Sequence, residues 1–269
     1  MSAILRLNSS GPDVKALQQA LQTAGFNPGS IDGSFGAGTE AAVLAFQRSK
    51  GIAADGVVGP NTATALGLAA IPSIPSAIPD VSVHVVSQMF PLTPIGNIAA
   101  NLPPVLDSLV AAKLADKGMV LVALGTIRAE TESFEPISEG RSRFNTSPSG
   151  SPFDLYDNRQ DLGNTGAPDG ANFRGRGFVQ LTGRANYTRY ANEIGQDLVT
   201  HPELANDPQV AATILARFLS DREDRIREAL AANPKDLATA RRLVNGGSNG
   251  LDRFIDAFDR GMHLIPDPA

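Results

Sequence analysis

A pattern of thirteen residues occurs twice near the start of the chain and leaves few ways to fold what surrounds it. Ile31-Asp-Gly-Ser-Phe-Gly-Ala-Gly-Thr-Glu-Ala-Ala-Val43 returns as Ala54-Asp-Gly-Val-Val-Gly-Pro-Asn-Thr-Ala-Thr-Ala-Leu66, at a period of 23 residues. Each copy has an Asp-Gly turn, a second Gly after two further residues, and a Thr near the start of an apolar-periodic helix. Upstream, Ser10 or Asp13 suits the cap of a helix with Val14, Leu17 and Leu21 on one face. A helix from about Thr39 groups Val43, Phe46 and Gln47. Together these segments predict a small three-helix bundle. A bundle of this size is marginally stable, so most of its side chains serve its own core. Asp32 and Asp55 accordingly read as turn formers before they read as ligand contacts.

The run from Asp32 to Gln47 resembles the peptidoglycan-binding domain of the three-helix type, whose D-G-x-F-G-x-x-T-x-x-A-V-x-x-F-Q pattern it matches at every fixed position. Zinc-dependent relatives carry metal-binding histidines, and this module has none, so the resemblance implies a non-enzymatic wall-binding module over residues 1–67. Prolines at 72, 75 and 79 then favour an extended spacer over residues 68–80.

From residue 81 to 269, apolar periodicity predicts helices around 82–90, 104–115, 119–130, 184–195, 208–231, 235–244 and 250–260, with no alternating strands. The expected fold is mainly α, with a second domain larger than the first. A net charge of −5 argues against nucleic acid. The chain has no Cys, and His84, His201 and His263 are far apart in sequence, so no metal or cofactor is expected. The N-terminus shows no cationic start followed by an apolar stretch, and no apolar run reaches the ~20 residues of a membrane span. The expectation is synthesis in the cytoplasm, action on a target reached by release or assisted export, and a monomeric state.

Four carboxylates, Glu130, Glu132, Glu135 and Glu139, fall within ten residues after the apolar run Met119–Arg128. An unbroken helix would set Glu130 and Glu139 about 13.5 Å apart on opposite faces. Pro136 forbids that and turns the chain, which can bring Glu139 back across a cleft from Glu130. Paired carboxylates suit glycoside hydrolysis, while the plainer reading is a solvated acidic helix end. At the end of a helix the dipole disfavours further negative charge, which suits Glu130 to an acid's role. Residues 138–174 form a long polar loop of the kind that walls or covers a cleft, with Asn158, Arg159 and Asp161 as candidate sugar contacts, while the plainer reading is an ordinary solvated loop. Phe173–Tyr187 follows, where Gln180, Thr182 and Asn186 offer neutral amide and hydroxyl groups; the same run also reads as a packed helix start. Its G-R-G lacks the Lys-Ser/Thr of a phosphate loop.

Three motifs in order, E-T-x-x-F reaching Glu139, G-R-G-F-V-Q-L-T-G-R-A-N-Y, and Asn245-Gly-Gly-Ser-Asn-Gly-Leu-Asp-Arg253, resemble glycoside hydrolase family 19 chitinases and related phage and bacterial endolysins over roughly residues 82–262. The resemblance implies a lysozyme-like α-helical domain with Glu130 as general acid, Glu139 as general base and Thr182 holding the attacking water. It further implies substrate contacts at Gln180, Asn186, Tyr187 and Asn245, and a cleft arginine at Arg253. The chain departs from the family at Ala129, where a His is usual. The expected function is a peptidoglycan hydrolase cutting β-1,4 glycosidic bonds with inversion. The alternatives are a chitinase carrying a wall module and a catalytically weak wall-binding protein.

Overall fold

In the computed structural model, which describes residues 5–68, 75–245, 247 and 249–267 without the side chain of Asn245, helices begin and end largely where local chemistry directs them. In chain order they are α1 (Pro12–Thr23), α2 (Ala37–Ser49), α3 (Pro60–Ala65), α4 (Val83–Met89), α5 (Ile95–Ala111) and α6 (Lys117–Glu130). There follow α7 (Asp169–Asn172), α8 (Arg184–Ile194), α9 (Pro208–Ser220), α10 (Glu223–Ala231), α11 (Leu237–Asn245) and α12 (Leu251–Leu264). Two strands of two residues, β1 (Ile137–Ser138) and β2 (Arg176–Gly177), form the only sheet among the described residues. The chain is mainly α, as the periodicity predicts.

Proline at the first helical position starts α1 and α3, where its missing N–H costs nothing. The cap position of α1 is Gly11, rather than Ser10 or Asp13. The Ser82 hydroxyl accepts from the Val85 N–H at 3.2 Å, and the Asp116 carboxylate from the Met119 N–H at 3.2 Å, capping α4 and α6. Helix α5 starts well before the expected 104–115 and runs through Pro103 and Pro104. The carbonyls those prolines cannot bond belong to Ala99 and Ala100, both exposed, so water can satisfy them. The single helix expected over 208–231 is two, α9 and α10, broken at Asp221 and Arg222.

The chain forms two compact units, one of Met1–Pro75 with Phe218–Gly247, the other of Ser76–Arg217 with Ser248–Ala269. In the first, Val14, Leu17, Leu21, Phe35, Val43 and Phe46 make the core. A buried glutamine holds each Asp-Gly turn of the repeat. Gln18 Nε2 donates to Asp32 Oδ1 at 3.1 Å and Thr39 Oγ1 at 3.1 Å, while its Oε1 accepts from the Gly33 N–H at 2.8 Å. Gln47 repeats this on Asp55 (2.9 Å), Thr62 (3.2 Å) and the Gly56 N–H (3.0 Å). Both aspartates also accept from the N–H two residues on, Ser34 and Val57, as turn formers do. Thr62 donates a further bond, 2.7 Å long, to Asp224 Oδ2 on α10. Asp224 Oδ1 presses on Gly59, where an added Cβ would come within 2.0 Å.

In the second unit α6 is the central element. Every residue from Met119 to Ala129 is buried, so the helix is enclosed all round rather than on one face. Its Gly125 lets α12 approach closely: a Cβ there would lie 2.9 Å from the Phe254 ring. Buried Arg128 donates to the Met89 carbonyl, stacks 5.5 Å from the Phe90 centroid and reaches Asp256 at 3.4 Å, fastening α4 and α12 to α6. Of the spacer expected over 68–80, residues 69–74 lie outside the described residues. Residues 76–80 pack on this unit: Ala77 is buried, its N–H donates to the Ala115 carbonyl at 2.8 Å, and Ile78–Asp80 forms one 3-10 turn.

Candidate active site

Glu130 is the last residue of α6 and its first half-buried one after an unbroken buried run. The helix stops there, ahead of Pro136. Glu132 (φ 47°) and Phe134 (φ 57°) adopt left-handed backbone, which non-glycine residues hold only when their surroundings enforce it. The enforcement is Phe134, fully buried edge-on between Phe90 (4.9 Å) and Phe178 (6.2 Å). Asn97 of α5 ties the same turn by donating to the Ser133 carbonyl at 3.0 Å and Glu135 Oε2 at 2.7 Å. Pro136 thus follows a reversal that aromatic packing has already made.

The returning chain enters β1, antiparallel to β2 with Ile137 opposite Gly177 and Ser138 opposite Arg176. That register sets Glu139 beside Gly175: the Glu139 N–H donates to the Gly175 carbonyl at 2.7 Å. The Glu139 carboxylate accepts three hydrogen bonds. Asn145 Nδ2 (2.9 Å) and the Tyr156 hydroxyl (3.0 Å) donate to Oε1, and the Gly175 N–H (3.3 Å) to Oε2. Burial first, then the bond to Glu139 and its negative charge, push the Tyr156 phenol up to about 12.

Asn145 and Tyr156 belong to the long loop, and buried polar bonds give that loop its shape. Asn145 is wholly buried; besides Glu139 it donates to the Gly140 carbonyl and accepts from the Ser142 N–H, both at 2.8 Å. Asn164 donates to the Tyr156 carbonyl and accepts from the Arg184 N–H, both at 2.8 Å. Asp169, buried, pairs with Arg184 (Nε at 2.8 Å), which holds its carboxyl below the usual range despite burial. Of the loop's expected sugar contacts, Arg159 pairs with Asp161 at the surface (Nε at 2.7 Å). The residues that touch Glu139, Asn145 and Tyr156, were not among those expectations.

The G-R-G run is framework. Arg176, buried, donates to the Asn172 carbonyl (2.6 Å) and the Tyr187 hydroxyl (2.9 Å), and Arg174 stacks 5.2 Å from the Phe153 centroid. Tyr187 is itself fully buried, packed edge-on to Phe173 at 5.2 Å with its hydroxyl donating to the Arg174 carbonyl at 2.9 Å. It braces the run from behind. Gln180 has left-handed backbone (φ 51°), and its Nε2 bridges the carbonyls of Ile137 (3.0 Å) and Gly177 (3.1 Å), clasping the two strands. Thr182 Oγ1, half-buried, donates to the Gln180 carbonyl at 2.8 Å, and exposed Asn186 donates to the Thr182 carbonyl at 2.8 Å. Glu139, Gln180, Thr182 and Asn186 are therefore joined through the ribbon and its exit.

Arg253 on α12 pairs with Glu132 at 3.2 Å, so Glu132 has a partner where the sequence suggested only solvent. Ala129 lies under the Gly250 turn that opens α12: a Cβ on Gly250 (φ 69°) would come within 3.1 Å of the Ala129 Cβ. A His-sized side chain would displace that turn, which accounts for the small residue beside Glu130. The side chain of Asn245 lies outside the described residues.

Residues 10–66 match the family of putative peptidoglycan binding domains. The chain is also similar to the N-acetylmuramoyl-L-alanine amidase CwlM of Mycobacterium tuberculosis, 48% identical over 56 residues, 21% of this chain and 14% of that protein. A glycosyl hydrolase family 19 domain-containing protein of Haemophilus influenzae is 30% identical over 98 residues, 36% of this chain and 45% of that protein. The chain thus spans less than half the length of either relative. Among solved structures, chitinase C from Streptomyces griseus superposes with a TM-score of 0.46 at 19% identity, over 71% of this chain and 79% of that one.

Proposed function

We propose that this chain, which joins a peptidoglycan-binding module to a segment similar to a glycosyl hydrolase family 19 domain, is a cell-wall glycosidase. It hydrolyses β-1,4 bonds of the peptidoglycan glycan strand with inversion, acting as a monomer that reaches the wall by release or assisted export. The observation that carries this reading is Glu139, a carboxylate oriented by three donors on a ribbon that Gln180 clasps, in a chain whose residues 10–66 match the family of putative peptidoglycan binding domains.

Glu130, protonated, gives its proton to the glycosidic oxygen as that bond to the anomeric carbon breaks. Water attacks the same carbon from the opposite face and loses a proton to Glu139. Thr182 directs its own hydrogen to the Gln180 carbonyl, so its oxygen is open to accept a hydrogen from that water. Inversion needs the two carboxyl groups roughly 6.5–9.5 Å apart, which leaves room for the water. Asn186 is exposed and turned to the site by its bond to Thr182, so it can meet an acetamido group; Asn245 has the same role by resemblance. Gln180 and Tyr187 support the substrate surface through the ribbon and the framework behind it. Arg253, held by Glu132, supplies positive charge on the segment just beyond the acid.

Mass spectrometry of fragments released from purified sacculi tests the reading. Reducing-end sugars from cut glycan strands are expected, and NMR of the first-formed product shows the α-anomer. Initial β-anomer overturns the inverting step. The similarity to a family 19 domain favours chitinase as the second reading, and equal turnover of chitin oligomers and sacculi would select it.

A further inference from the structure

We infer that Tyr156 and Asn145 are positioning residues that fix Glu139 so that Oε2, not Oε1, takes the proton from the attacking water. The inference rests on the hydrolytic reading above. A carboxylate oxygen has two lone-pair directions. Those of Oε1 are both engaged, by Asn145 Nδ2 at 2.9 Å and the Tyr156 hydroxyl at 3.0 Å. Oε2 accepts only the long bond from the Gly175 N–H, at 3.3 Å, and keeps one direction open. The proton therefore arrives at Oε2 as the water oxygen bonds to the anomeric carbon, while the leaving oxygen keeps the proton received from Glu130.

The two donors are rigid. Asn145 is wholly buried and fixed at both ends of its amide by Gly140, Ser142 and Thr146. The main chain at Tyr156 is held by Asn164 at 2.8 Å. With its phenol pushed up to about 12, Tyr156 stays a donor throughout the working range. It touches the reaction only through Glu139, so its removal should lower turnover without weakening substrate binding.

The test is a double-mutant cycle in the full chain, read as kcat and KM on sacculi. Tyr156→Phe is expected to lower kcat about 10-fold, the scale of a lost hydrogen bond to a charged group, with KM within about 2-fold. In the Glu139→Gln background the same substitution is expected to change kcat by less than about 2-fold, because the carboxylate it positions is gone. An equal loss in both backgrounds reveals a merely structural effect and overturns the inference, as does a rise in KM with kcat unchanged. A second readout needs no turnover. The Tyr156 phenol, followed by NMR with 13C-labelled tyrosine, should titrate at lower pH in Glu139→Gln than in the unaltered chain. Identical titration means the bond does not act, and the positioning role falls whatever the enzyme hydrolyses. If the unaltered chain cuts no sacculi while that titration shifts, the hydrolytic reading alone has failed.

Discussion

On the proposed glycosidase reading, Glu139→Gln is expected to lower the rate of glycan hydrolysis by roughly 10²–10⁴, and Glu130→Gln to do the same, with the full chain still sedimenting with sacculi. Both substitutions keep the shape of the side chain and remove one function each. At 139 the amide can still accept from Tyr156 or Asn145 through its oxygen, so the loop retains its packing, but it cannot take a proton from water. At 130 the amide has no acidic proton to give the leaving oxygen. Sedimentation is expected to be unchanged because residues 10–66, which match the family of putative peptidoglycan binding domains, include neither position. Measurement of reducing ends with time, beside the pelleted fraction, separates the two effects. A Glu139→Gln chain with a near-normal rate would move the base to Glu132 or Glu135. Glu132 already pairs with Arg253, and Glu135 accepts from Asn97.

The second large effect is a pH dependence of stability in the unit that holds the repeat. Asp224 is buried, and burial pushes its carboxyl up to about 7; the Thr62 hydroxyl opposes the shift and the Glu223 charge adds to it. Between about 4 and about 7 the folded chain then binds a proton at Asp224 that the unfolded chain has released. Its contribution to stability is full below the unfolded value of 3.8, declines across that window and is gone above about 7. The swing is on the order of 4 kcal/mol. Asp224→Asn keeps an acceptor for Thr62 and has nothing to ionise. Its melting temperature should accordingly vary less between pH 5 and 8 than that of the unaltered chain, and be higher at pH 8. Parallel melting curves across that range would sink the idea.

Local signals in the sequence were enough for much of this architecture. The Asp-Gly pairs and the apolar period of α6 act over a few residues, and each is read from its neighbours alone. What could not be read depends on residues distant in sequence. The 23-residue period aligns Asp32 with Asp55 and Thr39 with Thr62, but Gln18 and Gln47, which hold both turns, stand 29 apart and escape it. Thr62 and Asp224, which join α3 to α10, are 162 residues apart. The site divides in the same way. Glu130 and Glu139 are visible as carboxylates flanking a turn, whereas the side-chain donors to Glu139 come from a loop whose polar residues look alike until Asn145, Asn164 and Asp169 are seen buried. Tyr187 shows the converse, a polar group expected to contact substrate that folding turns inward against Phe173.

The two carboxylates stand on structures of unequal endurance. Glu130 ends a helix enclosed all round, whose amides are expected to exchange with solvent only when the whole unit opens. Glu139 sits on a ribbon of two residues per strand, clasped by one glutamine and a loop that side-chain bonds hold together. That part can open by itself at a much smaller cost. Warming should release Glu139 from Asn145 and Tyr156 while α6 and α12 remain packed, so activity fades several degrees before the helical circular dichroism does. Hydrogen exchange would record the same order, with the amides of 138–177 exchanging first and those of 119–129 last.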